Sequence, residues 1–114
     1  MNNMLERISS QHIADVLEER NRQILELGWS REHDDTYHAD GSLAFAASVL
    51  ADVAAIQHIH HRATGKDLKI YPVEEAPWPE DWTFKPADTR RQLVKAGALI
   101  LAEIERLDRA AVRK

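Results

Sequence analysis

The sequence predicts an all-α domain, and three observations carry that expectation. Two long segments place apolar residues at three- and four-residue intervals, and a third is rich in alanine and leucine with no helix breaker. All four prolines fall in the single connection between the second and third predicted helices. The expected architecture is a bundle of three main helices in one domain, residues 1–114, with a long Pro/Trp-rich loop between helices two and three.

The first predicted helix covers residues 9–27. Ile13, Val16, Leu17, Ile24 and Leu27 keep helical spacing, while Asp15, Glu18, Glu19, Arg22 and Glu26 take the other faces. Ser9 or Ser10 is the expected N-cap, and Gly28 supplies the permissive backbone that stops the helix. Asp40 is then expected to cap the second helix, residues 41–59, in which Asp52 is the single charge. A helix apolar on nearly every side must be covered all round, either at the centre of a bundle or by a second subunit.

The third helix begins after Pro86, which bars continuation from upstream, and Asp88 is its expected N-cap. Leu93, Gly97, Ile100, Ile104, Leu107 and Ala111 follow a four-three repeat, a packing seam of coiled-coil type. Gly97 costs about 1 kcal/mol of helix propensity relative to Ala, which close approach of another helix would offset. Glu105 and Arg109 form an i, i+4 pair on the wet side. The connection before this helix, about 23 residues, is long for a compact domain. Its Tyr71, Trp78, Trp82 and Phe84 either cover an apolar opening of the bundle or form an aromatic surface for a partner.

Composition excludes several functions. Fifteen basic against nineteen acidic residues give a net charge of −4, and the bases form no stripe, which disfavours nucleic-acid binding. The chain has no cysteine, so neither a disulfide framework nor a thiolate metal site is available. The N-terminal residues lack a signal-peptide core, and no membrane span is expected from the run of apolar residues. A cytoplasmic protein is the expectation. The chain also lacks a P-loop, GxGxxG, GxSxG or HExxH pattern.

Four groups remain for chemistry. The stretch GWSREHDDTYHADG brings Asp34, Asp35 and His38 close together in sequence, a partial set of hard-cation ligands or a run of local hydrogen bonds. Glu19 and Gln23 share a helix face. Asp52 and Lys95 are isolated charges on otherwise apolar helices, to be met by an ion pair, by solvent or by a phosphate beside Arg90 and Arg91. The HIHH run, with His58, His60 and His61, is expected to complement a helix C-terminus rather than hold a metal.

Two blocks, ERNRQILELGWSREHDDTYHADGSLAFAASVLA and WPEDWTFKPADTRRQLVKAGALILAEIERLDR, resemble a group of small phage- and prophage-encoded helical proteins. The matching positions include Glu19, Arg20, Gln23, Trp29, Asp34, Asp35, His38, Trp82, Arg91 and Lys95, and the blocks span about two thirds of the chain. A more distant likeness is to the MazG-like all-α nucleotide pyrophosphohydrolases. That likeness implies an Mg²⁺-dependent enzyme acting on nucleoside triphosphates, or a degenerate nucleotide-binding descendant. It implies Glu19, Asp34 and Asp35 as metal ligands, Glu19 and His38 as catalytic groups, and Arg91, Lys95 and Trp29 as substrate contacts. The chain departs from those patterns in lacking clean EExxE and ExxD helices, and in carrying Ser42 and Gln92 where acids are expected. The competing expectation is a phage accessory protein that binds a host or defence protein through residues 78–84. A homodimer fits either.

Overall fold

The computed structural model describes residues 2–68, 84, 85 and 87–112, with side chains from Ser10 onward. Four helices follow in order: α1 Asn2–Leu25, α2 Arg31–Tyr37, α3 Ser42–Thr64 and α4 Thr89–Val112, with no strand among the described residues. The all-α expectation holds. The expected three-helix count gains a short fourth, because residues 31–37 coil instead of forming an irregular loop.

That short helix has local causes. The Ser30 hydroxyl accepts from the His33 amide at 3.2 Å, and Glu32 and Asp34 place negative charge in the first turn. α1 starts at Asn2, so Ser9 and Ser10 lie within it and not at its N-terminus. It ends at Leu25, two residues before the expected end, and Gly28, with a φ of 73°, lets the Trp29 amide turn back to the Gln23 carbonyl at 3.0 Å. Asp40 serves the start of α3, its carboxylate accepting from the Ser42 amide at 3.0 Å. Asp88 caps α4 through the Arg91 amide at 2.8 Å.

The core lies between α3 and α4. Leu43, Ala46, Ala47 and Leu50 of α3 pack with Ala96, Leu99 and Ala102 of α4, and Trp29 closes the cluster. Phe84 packs against it from the connection, while Tyr71, Trp78 and Trp82 lie outside the described residues. α3 is not covered all round: Ile56 and Ile59 are exposed. By length and composition Ser42–Thr64 does reach what a membrane span requires, contrary to expectation. Its alanines supply that apolarity, and the helix uses one face of it against α4.

The four-three seam of α4 also departs from expectation. α4 buries Val94, Ala96, Ala98, Leu99 and Ala102, whereas Leu93, Ile100, Ile104 and Leu107 stand about half exposed on the opposite side. Gly97 alone meets another helix as expected. A Cβ at that position would lie 3.3 Å from Val16 Cγ2, so the missing side chain is what lets α1 and α4 approach.

Candidate functional site

A network of charges ties α2 to both of its neighbours. Arg20 on α1 is almost fully buried, and its Nη2 donates to Asp34 Oδ2 at 2.9 Å. Its Nη1 reaches the Trp29 carbonyl at 3.4 Å, and its Nε lies 3.6 Å from Glu105 on α4. The other Asp34 oxygen stands 2.8 Å from His38 Nδ1, and both of these side chains are fully buried. The His38 ring meets Trp29 edge-on, with centroids 5.0 Å apart. Asp35 points to α4 instead, where Arg109 Nη2 donates to it at 2.9 Å and Nε donates to both oxygens at 3.2 Å. Asp35 in turn holds the Arg109 guanidinium above its ordinary value.

In this arrangement Asp34 and Asp35 are each held by an arginine. A buried carboxylate facing a guanidinium would have to give up that partner, at considerable cost, before it could take a metal ion. His33, Asp34 and His38 are the only His/Asp/Glu group among the described residues with donor atoms gathered closely enough to suggest an ion, all within 4.8 Å of one another. Asp34 already serves Arg20 and His38, so an ion there would compete with both. The expected Glu105–Arg109 pair is present at 3.9 Å, but the reach of Arg109 to Asp35, and of Arg20 to Asp34 and Glu105, is what the sequence reading missed. The signal was available: the EHDD acids need basic partners if buried, and Arg20 lies on the helix immediately upstream.

A second locus opens between α1 and the start of α4. A cleft of about 410 Å³ is lined by Asp15, Glu18, Glu19, Arg22, Asp88, Arg90, Arg91 and Val94. Glu19 is the buried carboxylate at its wall. Arg22 Nε and Nη2 each donate to it at 2.8 Å, Arg91 bonds the same group from α4, and Gln23 approaches at 3.5 Å. Burial alone would raise the Glu19 carboxyl, but Arg22 and Arg91 outweigh it and hold the group below its ordinary value. Arg90 pairs with Asp15 at 2.7 Å, which helps hold the Asp15 carboxyl low. Glu18 lines the cleft as a carboxylate with neither hydrogen bond nor ion pair among the described residues.

Lys95 stands one turn beyond Arg91 and is half-buried. Burial lowers its ammonium below the ordinary lysine value, and the fields of Arg91, Arg22 and Lys85 lower it further, with Glu19 opposing. Arg22 and Arg91 neutralise the buried Glu19 carboxylate, and the cleft as a whole is lined by four acids, Asp15, Glu18, Glu19 and Asp88, against three arginines, Arg22, Arg90 and Arg91.

The expected site residues thus divide. Glu19, Arg91 and Lys95 come together beside the cleft; Asp34, His38 and Trp29 form the buried network; Asp35 belongs to the α2–α4 contact. Asp52 is exposed and makes no ion pair with Lys95. His61 faces Asp67 at 3.3 Å at the end of α3, and the HIHH run gathers no metal-ligand group among the described residues. No protein-family profile, curated protein or solved structure matches the chain.

Proposed function

We propose that the α1–α4 cleft binds the phosphates of a nucleotide, brought in as its Mg²⁺ complex, and that the protein acts in the cytoplasm as a degenerate nucleotide-binding relative of the MazG-like pyrophosphohydrolases. The observation that carries this reading is the pair of guanidinium groups, Arg22 and Arg91, that meet at the Glu19 carboxylate on the cleft wall, with Lys95 one turn beyond Arg91. A ligand phosphate there gains several charge-assisted hydrogen bonds, and Arg presents two parallel donors to its oxygens. The cleft volume is within the usual range for small-molecule sites. Glu18, with its carboxylate uncommitted, is the residue placed to meet the nucleotide's Mg²⁺.

Binding without turnover fits the remaining groups. His38, expected to activate water, is fully buried and does not line the cleft, and Asp34 and Asp35 are held by arginines. Isothermal titration with nucleoside triphosphates, with and without Mg²⁺, tests the reading beside a pyrophosphate-release assay. Saturable heat that inorganic triphosphate competes away, with no pyrophosphate released, is the expected result. Absence of both heat and thermal shift with every nucleotide would overturn it.

A further inference from the structure

Glu19 has two arginine partners, and they hold it by unequal means. Its side chain is 1 % exposed, and Arg22 from the same helix grips both oxygens, Nε on Oε1 and Nη2 on Oε2, each at 2.8 Å. Such two-point pairing is the strongest contact a guanidinium makes with a carboxylate. Arg91 arrives from α4 and reaches only Oε1, through Nη2 alone. Its side chain is 39 % exposed at the cleft wall, and its Nε and Nη1 have no hydrogen bond among the described residues. The Arg91 amide is fixed to the Asp88 carboxylate at 2.8 Å, so the guanidinium can swing while the backbone stays in place.

On the reading of the cleft as a phosphate site, on which this step rests, we propose that Glu19 is a built-in competitor for the ligand. Its carboxylate occupies Arg91 while the cleft is empty, and a polyphosphate binds by taking Arg91 over and leaving Glu19 to Arg22. The exchange strands no charge. Glu19 keeps both bonds from Arg22, with Gln23 Nε2 at 3.5 Å, so the cost of an unpaired buried carboxylate does not arise. Arg91 gains by the move, because Nη2 takes part in both of the parallel donor pairs that a guanidinium offers a phosphate, and its bond to Glu19 competes with them. A polyphosphate also carries more negative charge than the one carboxylate it displaces. Ligand affinity is then reduced by the small fraction of molecules in which Arg91 stands released, a penalty that loosening Glu19 removes. A metal-ligand role for Glu19, which the MazG-like resemblance implies, predicts the opposite sign, since loss of that carboxylate would weaken binding.

Titration calorimetry with inorganic triphosphate, without Mg²⁺, tests the proposal on the wild type and on variants whose helical circular dichroism is unchanged. Glu19→Gln keeps the size of the side chain and is expected to bind about tenfold tighter than the wild type, a gain that Arg91→Met in the same chain removes. Glu19→Asp keeps the charge but draws the carboxylate back from Arg91 by one methylene, and it should tighten binding as well, by a smaller factor. That variant separates the contact from the charge and serves where Glu19→Gln fails to fold. Measurable binding by the wild type with equal or weaker binding by both variants would overturn the proposal and leave the phosphate reading standing. Tightening by Glu19→Gln but not by a folded Glu19→Asp would reduce the effect to the removed charge and overturn it equally. Absence of binding by the wild type and by both variants would overturn the phosphate reading itself, and the proposal with it.

Discussion

Substituting Asp34 by Asn removes the charge opposite Arg20 while keeping the size of the side chain. Both residues are buried, with side chains 0 and 5 % exposed, so water cannot replace the lost partner. The amide has one acceptor oxygen where two serve Arg20 and His38, so with that oxygen on Arg20 its NH₂ faces His38 Nδ1, which accepts only in the Nε2-protonated tautomer. Breaking a buried pair from one side costs about 3–5 kcal/mol, and Arg20 is then left with Glu105 at 3.6 Å and the Trp29 carbonyl at 3.4 Å as its remaining partners. Against a total stability of about 5–15 kcal/mol for a domain, that loss is a large fraction. Urea denaturation followed by circular dichroism reads it as a fall in midpoint at unchanged slope. The Arg20→Met/Asp34→Leu double substitution, which removes both charges, should recover at least half of the loss. A loss below about 1 kcal/mol for Asp34→Asn would refute the buried-network argument.

Further outcomes follow from the same structure. The folded Glu19 carboxyl is lowered, so its contribution is complete above the unfolded value of 4.5 and disappears as pH falls through the folded value. Urea midpoints between pH 6 and 3 should therefore fall more steeply for the wild type than for Glu19→Gln. Lys95 is lowered by burial and by its cationic neighbours, and a bound phosphate should raise it again, so titrations at alkaline pH should show proton uptake on binding that Lys95→Met abolishes. Gln92 is fully buried with neither side-chain amide atom hydrogen-bonded among the described residues, so Gln92→Met should raise stability by about 1–3 kcal/mol in urea melts. Gly97→Val should destabilise by pressing on Val16, and Val16→Ala should restore part of the loss in a double-mutant cycle.

The long helices were legible because their signals are local. Asp88, Gly28 and Asp40 act through backbone groups within a few residues, and the capping contacts appear where the spacing puts them. α2 was not legible, since its seven residues carry no apolar repeat; its Ser30 cap and the upstream Arg20 were available as signals, but Arg109 arrives from a distant part of the chain. The α4 seam shows another limit. Periodicity identified an apolar face correctly, but α4 carries a second one made of small residues, and Ala96, Ala98 and Ala102 won the core because they let α3 come close. At the site, Glu19, Arg91 and Lys95 could be named but not their mutual neutralisation. Proximity in sequence made Asp34 and Asp35 look like a pair, yet i and i+1 on a helix face different directions, and each found its own arginine.

Titration calorimetry of a nucleoside triphosphate with Mg²⁺ against the wild type, Arg91→Met, Lys95→Met and Asp35→Asn tests the central claim most directly. The account predicts that Arg91→Met and Lys95→Met each weaken binding at least tenfold, while Asp35→Asn binds as the wild type does even where its stability is reduced. Loss of binding in folded Asp35→Asn, with Arg91→Met and Lys95→Met unaffected, would contradict the account and return the ligand site to the EHDD segment.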